Sequence, residues 1–150
     1  MSRFIVLDSS PLGMVTNPKA TPLTLECKQW LNSLLAKGEI VVIPEIADYE
    51  VRRELLRVGK VAGIRQLDQL KNALMYVPIE TPAMLLAAQL WAEARKRGQP
   101  TADPKALDGD VILAAQAILI AQEENEVIVA TTNVKHLSQF VDARQWRLIE

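Results

Sequence analysis

LDGDVILAAQAILIAQEENEVIVATTN, residues 107–133, decides the fold. Its first part, Leu107 to Gln122, is apolar nearly all round, and a helix without a polar face has to be buried. Its last part, Val127-Ile128-Val129-Ala130, is a short, largely β-branched run that reads as a strand buried on both faces, ending at Thr131-Thr132-Asn133. A buried helix feeding a doubly buried strand is the unit of a parallel sheet covered on both sides.

The same unit recurs outward from that stretch. Phe4-Ile5-Val6-Leu7 is a buried strand ending at Asp8, and Ser9-Ser10-Pro11-Leu12-Gly13 has the composition of a loop. From Pro22 to Ala36, apolar residues fall at helical spacing, with Gly38 as a stop. Ile40-Val41-Val42-Ile43 is a second strand, closed by Pro44, and a helix runs from near Glu45 to Val58. Ile64 to Leu74 reads as a helix. Tyr76-Val77-Pro78-Ile79 reads as a strand that Pro78 confines to the sheet edge. Thr81 is placed to cap the next helix, with Pro82 at its first position and Arg95-Lys96-Arg97-Gly98 closing it. Gln99 to Ala106 reads as a loop, Asn133 to Phe140 as a short helix and Trp146-Arg147-Leu148-Ile149 as a last strand. With no internal repeat and no linker, residues 1–150 form one α/β domain.

Composition removes several classes of function. Hydrophobic residues make up 49% and charged residues 23% of 150, which excludes a disordered or low-complexity chain. One cysteine, Cys27, excludes a disulfide framework and a multi-cysteine zinc site, and one histidine, His136, excludes a multi-histidine metal site. Cys27 and the three tryptophans are read as core, and His136 as a surface or capping residue. Any metal is therefore held mostly by oxygen. The segment before Asp8 is too short for the apolar region of a signal peptide, and no run approaches the ~20 apolar residues of a membrane span. The expectation is a cytoplasmic protein.

In parallel sheets, ligands bind beyond the carboxyl ends of the strands. Asp8 ends the first strand there, and Thr131 and Asn133 end the strand of the opening stretch. Glu50 lies one turn or so into the helix after strand two, beside Ile46 and Tyr49. Asp108 and Asp110 open the buried helix. Each has a plainer reading: Asp8 as a turn residue, Glu50 as the partner of Arg53 on a solvated face, Asp108 as an N-cap. The second aspartate, Asp110, is left over by that account. Carboxylates gathered without a cation raise one another's pKa, and hard oxygen ligands suit Mg²⁺ or Mn²⁺. Residues 51–65 hold Arg52, Arg53, Arg57, Lys60 and Arg65 against Glu54 alone, and Lys135 follows the strand of the opening stretch. The formal charge is −1, yet setting aside Asp8, Glu50, Asp108 and Asp110 leaves 17 basic against 14 acidic residues. A metal-filled acidic pocket on a mildly basic protein suits a polyanionic substrate.

Taken in order, these pieces resemble the PIN domain family, in particular its VapC-type toxin ribonucleases. Val6-Leu7-Asp8-Ser9-Ser10 is similar to the family's opening strand and aspartate, and Glu50 in Tyr49-Glu50-Val51-Arg52-Arg53 to its glutamate after strand two. Asp110-Val111-Ile112-Leu113-Ala114-Ala115 is similar to its aspartate heading a buried helix, and Thr131-Thr132-Asn133 to its closing Thr-x-Asn. The resemblance implies a three-layer α/β/α PIN-like fold around a short, mostly parallel sheet. It implies metal-dependent hydrolysis of RNA by an endoribonuclease, often a homodimer, often restrained by a small antitoxin protein. It carries catalytic and metal-ligand roles over to Asp8, Glu50 and Asp110, with Asp108 as an additional ligand candidate and Ser9, Thr131 and Asn133 as supporting groups. Arg53, Arg57 and Lys135 are the candidate RNA contacts. Asn133 departs from the many members that carry a fourth acid. It leaves open a non-catalytic RNA-binding PIN domain. A receiver- or flavodoxin-like signalling module shares the alternating pattern but lacks a phospho-acceptor aspartate after strand three and a phosphate loop after strand one.

Overall fold

The computed structural model describes residues 3–98 and 104–150, the side chains of 104–106 excepted. Five strands, β1 (Arg3–Leu7), β2 (Ile40–Pro44), β3 (Met75–Val77), β4 (Glu126–Thr131) and β5 (Ala143–Gln145), form one sheet in the order β3-β2-β1-β4-β5. Every pairing is parallel. The helices are α1 (Ser9–Thr16), α2 (Pro22–Ala36), α3 (Glu45–Arg57), α4 (Val61–Ala73), α5 (Thr81–Lys96), α6 (Pro104–Ala121) and α7 (Val134–Leu137), with a 3₁₀ turn at Trp146–Leu148.

Successive strand side chains point to opposite faces, and the two cores follow that alternation. Ile5, Leu7, Val41, Ile43, Ile128 and Ala130 pack on one face against Leu12 and Val15 of α1, Leu31 and Leu34 of α2, Val51 of α3 and Leu67 of α4. Val6, Val42 and Val129 pack on the other against Leu113, Ala117 and Ile120 of α6 and Leu137 of α7. The second flank of α6, Leu107, Val111 and Ala115, lies against Ala83, Ala87 and Ala94 of α5. A helix squeezed between a sheet and another helix has no polar face left, which explains the unbroken apolar run. Its one large polar side chain in that layer, Gln116, is buried and satisfied: Nε2 donates to the Val77 carbonyl at 2.9 Å and Oε1 accepts from the Ile46 N–H at 3.4 Å.

Five local expectations shift. Ser9 to Gly13 is helix, not loop, because Asp8 caps it, its side chain accepting from the Ser9 N–H at 2.7 Å, and Pro11 sits in the first turn, where no helical N–H partner is needed. α6 begins at Pro104, so Lys105 and Ala106 are helical and Asp108 stands inside the helix rather than capping it; 99–103 lie outside the described residues. Thr81 is the first helical residue of α5, and Glu80 takes the cap position. Trp146 to Leu148 is a 3₁₀ turn, not a strand; β5 precedes it, and Trp146 turns inward to meet the Trp30 ring edge-on at 5.6 Å. β3 lies at the sheet edge as Pro78 requires, but it ends before that residue.

Candidate active site

β1 is the strand at which the chain changes direction across the sheet: from it the chain moves to β2 and β3 on one side, then to β4 and β5 on the other. A crevice opens beyond the carboxyl ends of strands at such a reversal. Asp8 follows β1 there and Thr131 closes β4, in register beside it. The Asp8 carboxylate is held from both sides. One oxygen accepts from the Ser9 N–H at 2.7 Å and the other from the Thr131 hydroxyl at 2.7 Å. Thr131 Oγ1 in turn accepts from the Asn133 N–H at 2.8 Å, and the Ser10 hydroxyl accepts from the Thr132 N–H at 3.3 Å. The loop after β4 is thereby tied to the start of α1.

Two further carboxylates reach this crevice from opposite layers. Glu50 comes from the second turn of α3, whose next residue, Val51, is anchored in the core. Asp110 comes from α6, whose next residue, Val111, is buried against α5. The three acids act on one another. Burial and then the charges of Asp8 and Glu50 push the Asp110 carboxyl up from 3.8 to about 7. Burial and the Asp8 charge raise Glu50, while Arg53, 3.9 Å away, opposes the rise. Burial raises Asp8, against its hydrogen bonds from Thr131 and Ser9.

The donor set suits a hard divalent ion: three carboxylates at one crevice, each disfavoured in its charged form, with no cysteine beside them. Among the described residues no three Asp, Glu, His or Cys side chains stand together as a finished metal cage.

The remaining candidates are placed differently. Asp108 is exposed and lines a groove of about 390 Å³ between α5 and α6 with Met84, Ala87, Trp91 and Ile112. Asn133 is adjacent through its backbone, but its amide nitrogen lies 3.1 Å from His136 Nδ1. Arg53 stacks over Tyr49 with its guanidinium 5.0 Å from the ring centroid. Arg57 is exposed and bound at 2.7 Å to Glu54. Lys135 is exposed on α7.

Sequence reasoning gave no specific role to Lys60, Ser10, Asn17 and Gly109. The first three line a cleft of about 470 Å³ between α1 and α3, together with Ser9, Glu50 and Arg53. Its lining joins Glu50 to the cations Arg53 and Lys60, an arrangement that needs the α3–α4 turn to fold back beside α1.

The PIN domain family profile matches residues 5–138. No curated protein matches the chain in sequence. Solved structures share its fold. The VapBC2 structure from Rickettsia felis, bound to a promoter DNA fragment, superposes with a TM-score of 0.70 at 18% identity, covering 95% of this chain and 98% of that one. FitAcB of Neisseria gonorrhoeae gives 0.64 at 20%, covering 97% and 99%. VapC20 of Mycobacterium tuberculosis, a toxin that cleaves the sarcin–ricin loop, gives 0.60 at 14%, covering 94% and 99%. At these identities the likeness is one of fold. The sequence match, running from β1 through α7 and taking in every acid of the crevice, makes this chain a member of the PIN domain family.

Proposed function

We propose that this protein is a divalent-metal-dependent endoribonuclease and the toxin of a toxin–antitoxin pair. The observation that carries the reading is the mutual influence of Asp8, Glu50 and Asp110 beyond the sheet reversal, with Asp110 driven to about 7 by burial first and then by the charges of the other two. Membership of the PIN domain family and the fold shared with an RNA-cleaving toxin support it. The antitoxin partner, a small protein, draws its support from the paired VapBC and FitAB chains that share this fold. A homodimer and a cytoplasmic setting belong to the same reading.

Asp8, Glu50 and Asp110 would hold Mg²⁺ or Mn²⁺, which when bound supplies Lewis-acid chemistry at a phosphate oxygen and lowers the pKa of an attacking water. Asp8 is the fixed member, because Ser9 and Thr131 set its orientation. Asp110 orients the water. Arg53 and Lys60, in the cleft beside Glu50, hold flanking phosphates as positioning contacts without reading sequence. Lys135, exposed on α7, is a further candidate phosphate contact. Arg57 holds Glu54 at the cleft wall and so limits the negative charge RNA meets there.

The signalling-module alternative falls with the strand order, since a flavodoxin-like sheet runs 2-1-3-4-5 and this one runs 3-2-1-4-5. The non-catalytic RNA-binding alternative has one observation in its favour, the neutral Asn133 turned to His136. One assay separates it from the nuclease. RNA is incubated with the purified chain in Mg²⁺, in Mn²⁺ and in chelator, alongside Asp8→Asn. Metal-dependent cleavage that the variant lacks is expected; RNA binding without cleavage in either metal would establish the alternative.

A further inference from the structure

We infer that Gly109 is a positioning residue of the metal site, its missing side chain being what lets the Glu50 carboxylate lie against α6 next to Asp110. The inference rests on the metal site proposed above. A Cβ added at Gly109 would stand 2.8 Å from Glu50 Oε2, 3.4 Å from Cδ and 3.6 Å from Oε1. All three atoms belong to one carboxylate, and that carboxylate comes from another layer of the fold.

Glycine is an expensive choice here. Position 109 is inside α6, where any residue but proline would favour the helix more. Its φ is not in the left-handed region, so no backbone conformation demands glycine. What the glycine leaves room for is the far end of a flexible side chain. Glu50 has 27% of its side chain exposed, so it has an open direction in which to swing. A methyl group at 109 would therefore leave the fold standing and move the carboxylate, outward and away from Asp110. Ligand oxygens must fall within about 0.2 Å of their preferred distance, so that displacement acts directly on metal affinity.

The test uses Mn²⁺ alone, titrated calorimetrically into the metal-free chain, with thermal melts in chelator. Gly109→Ala should melt at the parent temperature or above it, while binding Mn²⁺ about 10–100-fold more weakly, the range typical when a group that orients a metal ligand is lost. In a Glu50→Asp background the shorter carboxylate no longer meets the methyl, and Gly109→Ala should have no further effect on Kd. Parent-like Mn²⁺ binding by Gly109→Ala overturns the inference and leaves the metal site intact. So does an undiminished effect in the Glu50→Asp background, or loss of the fold, since either routes the effect around the carboxylate. Absence of Mn²⁺ binding by the parent itself overturns the metal site, and the inference with it.

Discussion

Asp110 holds a proton in the folded chain at a pH where the unfolded chain has released it. Its carboxyl sits at about 7 instead of 3.8, first through burial and then through Asp8 and Glu50. For an acid raised by folding, the native state binds more protons than the unfolded state across that window. Metal-free stability therefore falls as pH rises from about 4 to about 7, and the loss is complete above 7. Asp110→Asn removes the charge and the penalty together. In chelator, urea unfolding should give the variant parent-like stability near pH 4 and an advantage on the order of 1–2 kcal/mol at pH 8, solvent screening of this partly exposed group reducing the full linkage value. An unchanged pH profile in Asp110→Asn would take this residue out of the cluster. Asp8, Glu50 and Asp110 can be picked out of the sequence because each stands at a fixed place in a repeating strand–helix pattern. Gly109 and Lys60 cannot. The value of a missing side chain depends on Glu50, 59 positions earlier by sequence number, and the value of Lys60 depends on how the α3–α4 turn lies beside α1.

The helix α3 is fastened at its start by a partly buried polar knot. Tyr76 of β3 shares its hydroxyl between Asp48 at 3.1 Å and Glu45 at 3.2 Å, and burial and both carboxylates push its phenol up. Asp48, 4% exposed, also accepts from Arg52 Nε at 2.8 Å, and Glu45 accepts from the Ile79 N–H at 2.8 Å. Tyr76→Phe removes one hydrogen bond and leaves each carboxylate another partner. It should cost about 1.5–3 kcal/mol in urea unfolding, as for a hydrogen bond to a charged group. Mn²⁺ affinity should hold, because Ala47 and Val51 still anchor α3 in the core. A collapse of metal binding in this variant would make the knot part of the site. The main elements follow from apolar periodicity, and errors gather where a helix begins. The Asp-Ser-Ser-Pro run is a turn by composition and a capped helix start in fact, since Asp8 serves as cap and candidate ligand at once. Trp146 reads as strand by its apolar neighbours, yet only the tertiary fold supplies Trp30 for it to pack against.

Over the whole molecule the acids and the cations that matter are sorted by position, so a formal charge of −1 conceals a polar arrangement. The carboxylates converge at the carboxyl edge of the sheet, and Arg53 and Lys60 share the cleft beside them. Lys37 precedes β2 and marks the opposite, amino edge. If RNA enters along the cleft, its phosphates meet Arg53 and Lys60 and never approach Lys37. Binding of single-stranded RNA weakens with salt by about 0.7 in log K per log salt for each phosphate contact. The measurement is fluorescence anisotropy of a labelled RNA in the Asp8→Asn background, which binds without cutting, over a series of salt concentrations. Arg53→Gln and Lys60→Gln should each flatten the slope by about 0.7. Each should weaken binding alike for RNAs of different sequence, because contacts to phosphate position the chain and do not read bases. Lys37→Gln should leave slope and affinity where they were. A Lys37→Gln effect equal to that of Lys60→Gln would mean that RNA is attracted by the chain's overall field and not by this cleft. Loss confined to one RNA sequence in Arg53→Gln would instead give that guanidinium a base to read.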